Sequence, residues 1–267
     1  MKDGLNTMNF GEALLTGVMV LVFGATALAQ GARPGKNELS VRNQRQEIYF
    51  YTPAPGGLHR KVLFAPGDGG WRGFVITVAE SLASSGYEVY GLDTRHYLQS
   101  FTGPAELKPG EIAADFREIA GWIRQSSTQR VLLVGWSEGA GLALAAASDP
   151  QNKDLFEGLI AIGATEQNVL AWHWSDVVAE LRKKLPNEPT FASADYTGKV
   201  APLPLFMIAS SGDEYISSEA TRKLFSAARD PKRMVLIEAR DHKYGGATSE
   251  FFRTLMEALQ WVLQHHQ

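Results

Sequence analysis

The chain has 267 residues, 45% of them apolar and 21% charged, with a formal net charge of −3. That length buries one full-sized core, and the slight negative balance offers no general attraction to nucleic acid or anionic lipid. No cysteine is present, which excludes disulfides, thiolate metal sites, a cysteine nucleophile and a lipidated N-terminal cysteine.

From the N-terminus, Ala13 to Ala29 is an apolar run broken only by threonines and glycines, closing on Ala27-Leu28-Ala29 before Gln30. A short apolar run ended by small residues at A-x-A spacing reads as a secretory signal, and it is short for a membrane span. Lys2 is offset by Asp3 and Glu12, so the segment before it is barely positive. The expectation is a signal over 1–29, a leader over 30–45 that is mobile in its first residues, and a folded domain over 46–267. A periplasmic or secreted protein follows, the alternative being a membrane anchor left uncleaved.

Glu47 to Thr52 and Lys61 to Ala65 are short and rich in β-branched and aromatic residues, with the turn-forming Pro53-Ala54-Pro55-Gly56-Gly57 between them. Val75, Val78, Ala79 and Leu82 give a helical stripe that Gly86 closes, and Tyr87 to Leu92 reads as the next strand. A second stripe, Ile112, Phe116, Ile119, Ala120 and Ile123, precedes a strand at Arg130 to Val134 and a small-residue helix at Gly139 to Ala147. Strands are expected at Leu159 to Ile162, Leu203 to Ala209 and Met234 to Glu238, and helices at Ser218 to Ala228 and Ser249 to Gln264. Such alternation predicts an α/β fold, a mostly parallel sheet with helices on both faces. Residues 164–201 break the alternation and contain Trp172-His173-Trp174, a helical segment near Asp176 to Lys184, and a Pro-rich turn. An insertion of that length and aromatic content predicts a small ordered cap.

Gly135-Trp136-Ser137-Glu138-Gly139 stands between a predicted strand and a predicted helix. A serine on such a turn projects from the sheet edge, flanking glycines spare the crowded backbone, and the helix N-terminus favours a developing oxyanion. The pentapeptide alone arises by chance in about one chain of this length in ten, so the partners downstream carry the weight. Asp213 follows the predicted strand Leu203 to Ala209, with Glu214 as its rival, and His242 follows Met234 to Glu238. In the order Ser, Asp, His, these residues suit a nucleophile, an orienting acid and a general base.

Pro66-Gly67-Asp68-Gly69-Gly70-Trp71 follows an early strand, where one oxyanion-hole N–H should come from Asp68 and the other from Glu138. It lacks the spacing and lysine of a phosphate-binding loop. Trp71, His96, Trp172 and Trp174 are candidate substrate-binding residues. If the Asp68 and Glu138 side chains reach the cleft, the site is acidic and aminoacyl esters should react faster than dicarboxylic monoesters. No metal-binding, dinucleotide or Walker motif occurs, so no cofactor is expected.

Together these residues resemble the α/β-hydrolase superfamily from about Glu47 to the C-terminus. The first half is more specific: the Gly67 to Trp71 loop, Gly91-Leu92-Asp93-Thr94-Arg95-His96-Tyr97, Asp115 and the Ser137 pentapeptide are similar to the AcvB/VirJ bacterial family. That resemblance implies a periplasmic serine hydrolase removing aminoacyl groups from a phospholipid, hence a small-molecule or lipid ester as substrate and peripheral membrane-lipid contact. The chain departs from the family at Glu138 and Gly141, and its second half reads as a dienelactone-hydrolase-like esterase. The expected activity is carboxylic ester hydrolysis through an acyl-enzyme. The alternatives are an acyltransferase with the same triad and a non-catalytic binding module on the same fold.

Overall fold

The computed structural model describes residues 32–103, 106–125, 127–173 and 189–266. The signal-like segment, the helical stretch expected near Asp176 to Lys184, and Trp174 lie outside the described residues.

Two strands, β1 (Gly35–Val41) and β2 (Gln44–Tyr51), open the chain as a hairpin in which Val41 pairs with Gln44. Arg42 and Asn43 make its two-residue turn with φ of 47° and 62°, the backbone that matches strand twist in tight hairpins. Residues 35–41, expected within the leader, are therefore part of the domain. Their apolar signal is thin because β1 is an edge strand, largely exposed up to Val41.

The chain continues through β3 (Arg60–Ala65), α1 (Phe74–Ser84), β4 (Tyr87–Leu92), α2 (Thr94–Ser100), α3 (Pro109–Arg124), β5 (Val131–Trp136), α4 (Glu138–Ser148) and β6 (Phe156–Ile162). After β7 (Gln167–Val169), β8 (Thr190–Ala192) and α5 (Ala194–Thr197) come β9 (Leu205–Ser210), α6 (Ser218–Ala227), β10 (Lys232–Ile237) and α7 (Thr248–His265). Eight strands form one sheet in the order β1-β2-β4-β3-β5-β6-β9-β10. From β4 to β10 every neighbour is parallel, while β2 runs antiparallel to both β1 and β4. Within the insertion, β7 and β8 form a separate antiparallel pair.

Successive residues of a strand face opposite sides, and both sides are covered. On one, Val62, Val134, Ile160 and Phe206 meet Val78 and Leu82 of α1 and Phe251, Leu255 and Leu259 of α7. On the other, Leu63, Leu133, Leu159 and Met207 meet Phe116 and Ile119 of α3 and the Ala- and Leu-rich α4. This double burial is why the central strands read as unbroken apolar runs rather than as alternating ones. Local signals set the helix starts: Asp93 caps α2 by accepting the His96 N–H at 3.1 Å, and Ser217 caps α6 by accepting that of Ala220 at 3.1 Å. In consequence, the loops after β3, β5, β6, β9 and β10 all open at the carboxyl edge of the parallel strands, the usual place for a site in an α/β sheet.

Candidate active site

Ser137 occupies the turn between β5 and α4 at φ 56° and ψ −125°, a backbone conformation that costs a non-glycine residue about 1–3 kcal/mol. The strain is held by neighbours on both sides. Its N–H donates to the Ile162 carbonyl at 2.8 Å, and its carbonyl accepts the Ala140 N–H at 2.9 Å. Gly139 lets α4 start against β3: a Cβ there would stand 2.0 Å from the Ala65 carbonyl oxygen. Glu138, as the first residue of α4, has an N–H with no acceptor one turn back.

His242 and Asp213 arrive on the loops after β10 and β9. The imidazole Nδ1 lies 2.7 Å from Asp213 Oδ2, with the two side chains 7% and 1% exposed. Oδ1 of the same carboxylate accepts the N–H groups of Tyr215 at 2.9 Å and Ile216 at 3.2 Å, which fixes its plane. Glu214, the rival acid, turns the other way and accepts the His242 main-chain N–H at 2.8 Å. Trp136 stacks on the imidazole at 5.6 Å between centroids, and Tyr215 meets it edge-on at 5.2 Å. With Nδ1 donating to the carboxylate, Nε2 is the lone-pair nitrogen, and it is buried with no hydrogen-bond partner among the described residues.

Three contacts bring the serine and the imidazole together: Ser137 bonds Ile162, the following Gly163 abuts the His242 ring, and Trp136 stacks on that ring. On the far side stands the loop after β3. A Cβ on its Gly67 would lie 3.1 Å from the Ser137 Cβ, so Gly67 borders the serine side chain. Among the described residues no three His, Asp or Glu side chains converge as metal ligands.

The Glu138 carboxyl does not point into the cleft. It is buried and accepts the main-chain N–H of Val169 on β7, tying the insertion to the start of α4. Burial, reinforced by the Asp68 charge, raises it well above the usual carboxylate range, against the pull of the Val169 N–H. Of the two carboxylates that could have made the cleft acidic, Glu138 is therefore turned toward β7 and away from it.

Two of the candidate substrate-binding residues have other work. Trp71 stacks on Tyr49 at 4.9 Å with 3° between planes, donates from Nε1 to the Tyr51 hydroxyl at 3.1 Å, and lies over Gly91, where a Cβ would strike its ring at 1.7 Å. Its aromatic surface is spent on the sheet. His96 Nε2 stands 2.7 Å from the Arg45 carbonyl, which commits the ring to the edge hairpin. Trp172 is buried, with the Arg95 guanidinium over its face. In the sequence Arg95 stands only as one residue of the Gly91 to Tyr97 motif, and Gly163 carries no assigned role. A glycine closing a strand before the insertion was the available signal for Gly163.

Residues 59–167, fewer than half of the chain, match the family described as bacterial virulence protein (VirJ). An uncharacterized Mycobacterium tuberculosis protein is 25% identical over 230 residues, covering 82% of this chain and 76% of that one. The esterase domain of a Rhodothermus marinus protein superposes with a TM-score of 0.59 at 19% identity, covering 86% of this chain and 98% of its own. A putative dienelactone hydrolase from Klebsiella pneumoniae gives a TM-score of 0.62 at 17% identity, covering 86% and 98%. The strand order, the carboxyl-edge site and these likenesses agree: the chain has the α/β-hydrolase fold, and its first half is similar to VirJ.

Proposed function

We propose that the protein is a serine ester hydrolase working through an acyl-enzyme. One observation carries the reading: a buried His242–Asp213 pair at 2.7 Å, with an Nε2 that no described residue engages, beside a serine held at φ 56°. In the proposed cycle Ser137 Oγ attacks the ester carbonyl while His242 Nε2 takes its proton. The N–H groups of Glu138 and Asp68, with the dipole of α4, hold the oxyanion. His242 then gives the proton to the departing alcohol oxygen. Water, deprotonated by the same nitrogen, cleaves the acyl-enzyme to the free acid and restores the serine hydroxyl. Asp213 keeps the Nδ1 proton in place and stabilises the imidazolium.

An aminoacyl ester is the substrate class that the VirJ likeness suggests, and the Glu138 carboxyl, turned toward β7, is not placed to meet its ammonium. The signal-like Ala13 to Ala29 run adds the proposal that the reaction takes place outside the cytoplasm, which fractionation of the full chain tests directly.

A fluorophosphonate probe should label the protein at Ser137, and Ser137→Ala should abolish both the label and hydrolysis of p-nitrophenyl butyrate. Labelling elsewhere, or hydrolysis that survives the substitution, would overturn the reading.

A further inference from the structure

Arg95 is the second residue of α2, and neutral partners hold its side chain. Nε donates to the Asp68 carbonyl at 2.8 Å, and the guanidinium lies 4.5 Å from the centroid of the Trp172 ring. Gly70 of the same loop lies alongside it, a Cβ there standing at ordinary contact distance, 3.5 Å, from Nε. The arginines that stabilise this fold are bound differently. Arg42 is matched by Asp115, Arg60 by Glu157, Arg117 by Asp149 and Arg233 by Glu257. No carboxylate among the described residues forms an ion pair with Arg95, and its Nη groups make no hydrogen bond there.

A half-buried guanidinium that gives one of its five donors to a carbonyl and its face to an indole keeps its charge and its Nη edge for a ligand. It is also ordered in advance, which lowers the entropy lost on binding. Its position is specific. The carbonyl it holds belongs to Asp68, next in the chain to Gly67, the residue that borders the Ser137 side chain.

We propose that Arg95 binds an oxyanion, a phosphate or a carboxylate, carried by the substrate beside Ser137. The site then carries a cation, Arg95, in addition to whatever acidic character the Asp68 and Glu138 side chains would lend it if they reached the cleft. The proposal rests on the ester-hydrolase reading only in calling the ligand part of a substrate.

The test is equilibrium binding to the full chain carrying Ser137→Ala, titrated calorimetrically at low salt with inorganic phosphate, glycerol 3-phosphate and succinate. At least one should bind, and Arg95→Gln should weaken it about tenfold to a hundredfold, the size of a lost charge-assisted hydrogen bond. Arg95→Lys, which keeps the charge but not the planar fork, should fall between them and serves if the glutamine variant does not fold. Glycerol 3-phosphate binding best places the anion on the alcohol side of the ester, and succinate binding best places it on the acyl side. Failure of all three to bind, or binding that neither substitution changes, overturns the assignment and leaves the Ser137 chemistry standing. Loss of the hydrolase reading through the labelling experiment would leave the binding result intact.

Discussion

A Cβ on Gly163 would lie 2.7 Å from His242 Cε1 and 3.1 Å from Nδ1, so the imidazole rests on bare backbone at the end of β6. Gly163 also holds φ 52°, where a side chain is strained by about 1 kcal/mol. Gly163→Ala is expected to displace the ring from both Asp213 and Ser137. A shift near 1 Å at a reacting group costs on the order of 10²-fold, so kcat should fall by about that factor while KM changes little. Steady-state kinetics with p-nitrophenyl butyrate reads the split. An unchanged kcat would mean that the ring tolerates displacement.

The two carboxylates on the loop after β9 separate by what they accept. Asp213 accepts the Nδ1–H hydrogen bond, and Glu214 accepts only that of the His242 main-chain N–H. Asp213→Asn should invert the tautomer and lower kcat by about 10⁴-fold. Glu214→Gln keeps an oxygen for the amide and should leave kcat within about tenfold of the starting protein. Equal losses from the two substitutions would assign the orienting role to the pair rather than to Asp213.

Residues that carry this argument were unevenly legible in the sequence. Tyr87 to Leu92 could be read to its exact ends because both faces are buried and Gly86 marks the start. Ser137, Asp213 and His242 stand out as candidates because the order of strand and loop is a local pattern. The hairpin strand β1 was missed because an exposed edge needs few apolar residues, and α2 because seven residues hold too little periodicity. The direction of Glu138 depends on β7, about thirty residues further on, and that of Trp71 on Tyr49 and Gly91. Side-chain direction at long range leaves no mark in local composition. The same holds for Arg95, whose neutral partners come from two separate segments.

Asp115 shows what a buried charge does in this fold away from the serine. Its side chain is 1% exposed, and its oxygens accept Arg42 Nε at 2.7 Å, Arg42 Nη2 at 2.8 Å and the buried Tyr97 hydroxyl at 2.6 Å. Arg42 lies at the β1–β2 turn, so this pair fastens the edge hairpin to α3. Asp115→Ala leaves the Tyr97 hydroxyl buried without an acceptor and removes one of the carboxylates on Arg42, which is partly exposed and keeps Glu111 at 3.1 Å. A loss of about 2–4 kcal/mol is expected in urea unfolding, at the lower side of what breaking a fully buried pair costs. A loss under about 0.5 kcal/mol would show that the hairpin does not depend on the pair.

Glu138 gives a pH dependence whose sign follows from its burial. Its carboxyl is raised well above the ordinary 4.5 in the folded chain, so above that value the unfolded chain releases this proton while the folded chain retains it. The folded state then binds more protons, and stability falls as pH rises from about 4.5 toward the folded value. Below that window both states are protonated and the contribution is fully present. Glu138→Gln keeps an amide oxygen for the Val169 N–H but has no proton to lose. The stability of the glutamine variant relative to the natural chain should therefore improve between about pH 4 and about pH 8. Other raised carboxyls, such as Asp115 and Glu157, tilt both proteins alike and cancel in that difference. Urea unfolding of the two proteins at both pH values measures it. A difference that stays constant, or that moves toward the natural chain, would mean that Glu138 is ionised in the fold and that both carboxylates beside Ser137 carry charge after all.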